Sequence, residues 1–210
     1  MKILYPDKLV TVADGLTIFI PDPELVKPVY ENLLLKDPAT AFPFWAKIWP
    51  SALALASFLK ENPGLVKGKK VLELGAGIGL PSFTIAEYVS EICISDHAPE
   101  AVVLLQKNIQ YHQLDNATAV CIDWNKVPEQ TKAAVLLLSD INYAPDQYEG
   151  LLHMIRRFLG QGASIILATP QRITITAFAE ALQPYIKRSV LRTVSYLNGE
   201  VDIRILILSL

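Results

Sequence analysis

Four short patterns in this chain bring together side chains and bare backbone that could hold a charged ligand and act on it. Glu73-Leu74-Gly75-Ala76-Gly77-Ile78-Gly79 alternates glycine with small or apolar residues. Without a Cβ, such glycines take positive φ and let a ligand approach the main chain closely. Asp96 lies 21 residues beyond Gly75, at the end of the apolar run Ile92-Cys93-Ile94-Ser95, where a carboxylate can accept from both hydroxyls of a ribose. Asp123-Trp124 pairs an acceptor for an exocyclic amine with an indole that can cover a purine face. Asp140 and Tyr143 follow the apolar run Ala133–Leu138, and a carboxylate and a phenol at that point can orient a nucleophile.

Each pattern also has an ordinary reading. The glycine loop could be a plain strand-to-helix turn, Asp123 a capping residue beside a half-buried tryptophan, and Asp140 an acid before a turn with Tyr143 on the next helix. The dinucleotide fingerprint asks for Gly or Ala at the sixth position of the loop, where this chain has Leu80, and Glu73 suits a cationic ligand better than a pyrophosphate.

Taken together, the glycine loop and Asp96 resemble motif I and the following acidic position of class I S-adenosylmethionine-dependent methyltransferases. The Asp140-x-x-Tyr143 spacing resembles the motif of the family 16 protein lysine methyltransferases. Upstream, Phe42-Pro43-Phe44-Trp45-Ala46-Lys47-Ile48-Trp49-Pro50 is similar to that family's tryptophan helix, closest to the branch modifying electron-transfer-flavoprotein β subunit. The resemblance covers residues 42 to 170 and departs at Asn125, where members often have glycine.

The resemblance implies S-adenosylmethionine as cofactor, with S-adenosylhomocysteine as product. It implies cofactor contacts from Trp49, Glu73, Gly75, Gly77, Gly79, Asp96, Asp123 and Trp124, a substrate-side Trp45, and Asp140 and Tyr143 as catalytic residues. The implied substrate is a protein bearing a target lysine. A methyltransferase for a small molecule or RNA, and a non-catalytic module retaining the fold, stand as alternatives; the Asp-Ile-Asn-Tyr sequence differs from the Asn-Pro-Pro-Tyr loop that stacks a flipped base.

The elements that must position these residues alternate in kind. Strands are predicted at 70–75, 91–96, 118–123, 133–139 and 163–168, with helices at 81–89, 99–112, 146–159 and 174–183, a pattern that makes a parallel sheet covered on both faces. A hairpin is expected over residues 8–20 with its turn at Asp14-Gly15, and a closing antiparallel hairpin at the carboxyl end around Asn198-Gly199. Residues 21–50 read as an ordered aromatic cap, followed by a helix from Ser51, its N-cap, to Leu59. The expected fold is therefore α/β: a seven-stranded, Rossmann-like, mostly parallel sheet with a carboxyl-terminal antiparallel hairpin, an N-terminal hairpin and a helical cap. One domain is expected over 1–210, with the hairpin and cap in 1–60 and the core in 61–210.

Composition bounds the rest. A chain of 210 residues with 51% hydrophobic content can bury one sizeable core. A net charge of −2 and pI near 5.9 supply no basic footprint for nucleic acid. Cys93 and Cys121 sit in apolar runs and read as core thiols, and no apolar segment approaches 18 residues. His97 could reach a ribose or simply be solvated, while His112 and His153 lack metal-ligand spacing. A cytoplasmic monomer without metal or membrane attachment is expected.

Overall fold

The computed structural model describes residues 5–12, 15–141, 147–170 and 177–210. Strands β1 (Asp7–Thr11) and β2 (Thr17–Pro21) form an antiparallel hairpin, with Asp14 of its expected turn outside the described residues. Helix α1 (Pro23–Lys36) follows, then a short 3-10 turn at Phe44–Ala46 and helix α2 (Pro50–Glu61). The alternating region is β3 (Lys70–Leu74), α3 (Leu80–Ile85), β4 (Glu91–Asp96), α4 (Pro99–Tyr111), β5 (Ala117–Cys121), β6 (Val135–Ser139), α5 (Tyr148–Gly160), β7 (Ser164–Pro170) and α6 (Ala177–Leu182). Two long strands, β8 (Ile186–Tyr196) and β9 (Gly199–Leu208), close the sheet.

The seven strands run in the order β5-β4-β3-β6-β7-β9-β8. Pairing is parallel from β5 to β7 and antiparallel where β9 joins β7 and β8 joins β9. Because β3 lies between β4 and β6, the order reverses beside it, and the carboxyl ends of these strands frame the crevice where such sheets take ligands.

Alternation along each strand divides the core in two. Val71, Ile92, Ile94, Val135, Leu137 and Ile166 face α2, α3 and α4, whereas Leu72, Leu74, Leu136, Leu138, Ile165 and Leu167 face α5 and α6. Both sides are filled, so Val135–Leu138 are all fully buried, as expected of a central strand covered on both faces. Helix α5 turns Leu151, Met154, Ile155, Phe158 and Leu159 inward at helical spacing.

The N-terminal hairpin is held differently. Asn108, fully buried on α4, accepts from Phe19 N at 2.7 Å and donates to Phe19 O at 2.9 Å, so its amide acts as a one-residue strand. Lys107 Nζ adds a 2.6 Å ion pair to Asp7, and His112 Nε2 lies 2.8 Å from Thr17 O.

Several details depart from the sequence reading. Helix α1 begins with Asp22 capping Glu24 N and Pro23 at its first turn, but Pro28 within it reads as a breaker and none of its residues is buried. Ser51 does not cap α2: Trp49 occupies the N-cap position without a side-chain cap bond, and Ser51 is fully buried in the first turn. The closing turn centres on Leu197-Asn198, because Tyr196 pairs with Gly199, and Leu197 takes φ +53°. Cys121 is exposed because β5 is the sheet's edge strand. No helix among the described residues is long and apolar enough to cross a membrane.

Candidate functional site

Where β3 ends, Gly75, Gly77 and Gly79 take φ of +65°, +55° and +78°. Their surroundings leave no room for a side chain. A Cβ on Gly79 would meet Leu105 Cδ2 at 2.6 Å, one on Gly75 would meet Ile141 Cγ2 at 2.9 Å, and one on Gly77 would lie 3.1 Å from Trp45 O. The loop is tied to β4 by Ala76 N to Ser95 O at 2.9 Å and by Gly77 N to Asp96 Oδ2 at 2.8 Å.

Asp96 accepts a second bond from Ala98 N through Oδ1 at 2.9 Å. Two main-chain donors thus fix a nearly buried carboxylate at the cleft wall; His97 Nδ1 lies 3.4 Å from Oδ1, and Oδ2 retains a lone pair beyond its bond to Gly77 N. Glu73 behaves differently. It is fully buried, accepts from Ser82 N at 3.2 Å and from Ser82 Oγ, and does not line the cleft. Burial drives its pKa up to about 7 against the opposing hydrogen bonds of Ser82, with Asp96 adding to the rise. The structure sets Glu73 beneath the loop, where it holds the start of α3.

Asp123 caps a 3-10 turn by accepting from Asn125 N at 3.0 Å, has Lys126 at 3.6 Å, and is also absent from the cleft wall. Its neighbour Trp124 does line the cleft, buried against Gly75, with the His97 ring 6.3 Å away. Asp123 thus caps a turn outside the cleft wall, and the Trp124 ring forms part of that wall.

The cap closes the cleft from the other side. Trp49 Nε1 donates to Phe44 O at 2.9 Å, which pins the indole at the start of α2. Trp45 is buried edge-on to Tyr5, ring centroids 5.7 Å apart. Between the two tryptophans, Lys47 extends its Nζ to 4.8 Å from the Trp49 ring and 5.3 Å from the Tyr196 ring. Tyr196 in turn donates to Ile48 O at 3.0 Å.

Asp140 completes the wall. It adopts φ +54°, a left-handed conformation uncommon for residues other than glycine, and its N–H donates to Ala168 O at 3.0 Å. Such strain persists where surroundings over-determine it, and it clusters at functional sites. Tyr143 lies outside the described residues. Of the residues named from the sequence, Trp45, Trp49, Gly75, Gly77, Gly79, Asp96, Trp124 and Asp140 share one cleft with a cavity volume of about 80 Å³.

The family model for lysine methyltransferases matches residues 35–187. The chain belongs to this family. Among curated relatives, a human histone-arginine methyltransferase is 28% identical over 51% of this chain and 60% of its own length. An EEF1A lysine methyltransferase 3 of Xenopus tropicalis is 31% identical over 60% of this chain and 58% of its own. The human electron transfer flavoprotein beta subunit lysine methyltransferase is 30% identical over 62% of this chain and 50% of its own. The chain thus spans 50–60% of the length of these relatives.

Solved structures of similar fold include an N-methyltransferase from Bradyrhizobium japonicum in complex with S-adenosyl-L-homocysteine. Its TM-score is 0.61 at 12% identity, covering 85% of this chain and 97% of that one. A putative RNA methyltransferase from Pyrococcus horikoshii has TM-score 0.61 at 13% identity, covering 79% and 88%.

All of the cleft lies inside the lysine methyltransferase match, whereas Tyr5 and Tyr196, which brace it, lie outside. Sequence reasoning missed Lys47, Phe44, Ser139 and Ile141 as lining residues. Their signal was adjacency to Trp45, Trp49 and Asp140. Among the described residues, no group of three His, Cys, Asp or Glu side chains could hold a metal ion.

Proposed function

We propose that this protein is an S-adenosylmethionine-dependent methyltransferase that modifies a lysine side chain of a protein. The observation that carries the reading is the convergence of the glycine loop, Asp96, Trp124 and a strained Asp140 on one cleft at the reversal of strand order. The residues present fit the cofactor. The glycine loop leaves main chain open to it, Asp96 retains acceptor capacity for ribose hydroxyls, and the Trp124 ring offers a face to a purine. Lys47, the one lysine or arginine among the described cleft residues, suits an amino-acid carboxylate. When bound, S-adenosylmethionine supplies an electrophilic methyl group on a sulfonium.

The protein's task is then to present a lone pair in line, which is catalysis by positioning. Presenting a lysine amine neutral at pH 7 costs about 4–5 kcal/mol from its ordinary pKa. A carboxylate raises that cost, since it favours the ammonium. Asp140 therefore serves to orient an amine N–H and to accept charge as the methyl moves, while the indoles of Trp45 and Trp49 exclude water and favour loss of the proton. Tyr143 is proposed to position the amine through its hydroxyl.

A second acceptor, an arginine guanidinium nitrogen, is raised by the resemblance to the histone-arginine methyltransferase. The net charge of −2 favours a protein acceptor over nucleic acid. Free Cys93 and Cys121 suit a reducing compartment, so we place the protein in the cytoplasm, as a monomer.

The test incubates the protein, and an Asp140→Ala control, with methyl-labelled S-adenosylmethionine and lysate of its source. A labelled, protease-sensitive band seen only with the intact protein, and methyl-lysine on mass analysis of that band, is expected. Label confined to nuclease-sensitive or low-mass material overturns the acceptor class, and methyl-arginine replaces the lysine.

A further inference from the structure

On the far side of the Trp45–Phe44 wall lies a second cavity of about 430 Å³, several times the volume of the cleft. Tyr5, Phe42, Phe44 and Trp45 supply four aromatic rings to it, and Glu100 and His97 supply a carboxylate and an imidazole. The rings are braced against one another: Tyr5 meets Trp45 edge-on at 5.7 Å and Phe42 meets Phe44 edge-on at 5.1 Å. Phe42 and Phe44 are 42% and 52% exposed, so the groove presents apolar surface to a ligand. Neither lysine nor arginine lines this groove among the described residues.

The carboxylate is set for a cation. Glu100 stands in the first turn of α4 and is not fully buried. It lies close enough to Tyr5 that burial, then this carboxylate, then Tyr30 hold the phenol above its usual pKa. No salt bridge neutralises Glu100 among the described residues. Aromatic faces around one acidic group attract a side chain that is an apolar stem with a cationic head.

Resting on the proposed function, we infer that this groove is a specificity subsite that takes a lysine or arginine side chain of the protein substrate, separate from the residue being methylated. Phe44, Trp45 and His97 line both the groove and the cleft, so an occupant on one side of the Trp45 wall and a target amine on the other can belong to one substrate. Tyr5 lies outside the family match, so part of this subsite is built from residues N-terminal to that match.

The test uses the whole chain. Calorimetry first measures S-adenosylhomocysteine binding to the parent protein and to Glu100→Lys and Phe42→Ala, neither of which lines the cleft itself. Each protein, saturated with S-adenosylhomocysteine, is then titrated with N-acetyl-arginine methylamide or its glutamate counterpart while tryptophan emission is followed. Saturable binding of the arginine compound is expected, weakened at least tenfold by Glu100→Lys and severalfold by Phe42→Ala, with S-adenosylhomocysteine affinity changed less than twofold. Equal binding of the glutamate compound, absence of saturation with the arginine compound, or a Glu100→Lys effect under twofold overturns the inference. Failure of the parent protein to bind S-adenosylhomocysteine overturns the cofactor reading instead, and the arginine titration, repeated without it, still decides the groove.

Discussion

The two walls of the cleft are built on opposite terms. The glycine-loop wall is over-determined. Three residues with positive φ are packed so closely that a single methyl group collides, and Asp96 and Ser95 tie the loop to the neighbouring strand. Beside it, the wall at Ser139–Ile141 carries a non-glycine residue at φ +54°, with Asn142–Asp146 beyond it outside the described residues. Strain of that kind costs about 1–3 kcal/mol. Under the proposed function, that difference assigns one wall to holding the cofactor and the other to acting on the acceptor. Substitutions should divide accordingly between affinity and turnover.

The sharpest way to break this division is at Asp140. Asp140→Asn and Asp140→Gly are each expected to lower turnover at least about 10³-fold, roughly 4 kcal/mol, while S-adenosylhomocysteine affinity stays within a few fold. Asp140→Gly should also raise unfolding free energy in urea by up to about 1 kcal/mol, because glycine adopts positive φ without strain. A rate within tenfold of the parent, or a large loss of affinity, would mean that this wall binds after all.

Next in size is Gly79→Ala, where the added Cβ lies 2.6 Å from Leu105 Cδ2 at φ +78°. A left-handed alanine and an overpacked core together cost about 2–5 kcal/mol, read as a lowered Tm and lost ligand affinity. A variant as stable as the parent would show that the loop wall is softer than its contacts imply.

Glu73 beneath that wall gives a pH signature. Its folded pKa, raised from 4.5 to about 7, means that the folded state holds the proton more tightly. Stability from this group is present below pH 4.5 and is lost as pH rises through 7, by about 3 kcal/mol in all. Glu73→Gln should flatten that decline in urea unfolding followed from pH 4.5 to 8; an unchanged slope would assign the decline to other groups.

The smallest effect tests the cap that faces the glycine loop. Lys47→Ala is expected to weaken S-adenosylhomocysteine about tenfold, near 1.4 kcal/mol, yet leave methylthioadenosine, which lacks the carboxylate, unchanged in calorimetry. Equal losses for both compounds would place Lys47 against the nucleoside instead.

Much of this architecture was legible because main-chain rules write it. The apolar runs at 92–95 and 133–138 became interior strands, and the glycine loop lay where a strand gives way to a helix. Long-range side-chain choices were not legible. Whether Asp123 reaches a ligand or caps a turn depends on where its carboxylate swings, and the same two residues permit both. Glu73 could have faced the cleft had Ser82 not lain beneath the loop. Helix α1 escaped because its signals are local and contradictory, with a favourable Asp22-Pro23 start and an unfavourable Pro28. Lys47 acquires its place only when Tyr196, far along the chain, comes to lie beside it.

That last bond has a consequence for how the protein comes into being. Tyr196 and Ile48 are separated by 148 residues, and β8 reaches the sheet only through β9. Synthesis proceeds from the amino end, and early segments begin to fold before later ones exist. The strap across the cleft's lip therefore cannot fasten until the ribosome has passed residue 208, when β9 has been made. A nascent chain carries the glycine loop and Asp140 long before it carries the brace on Lys47, so the lip of its ligand site is finished only after both walls of the cleft have been made.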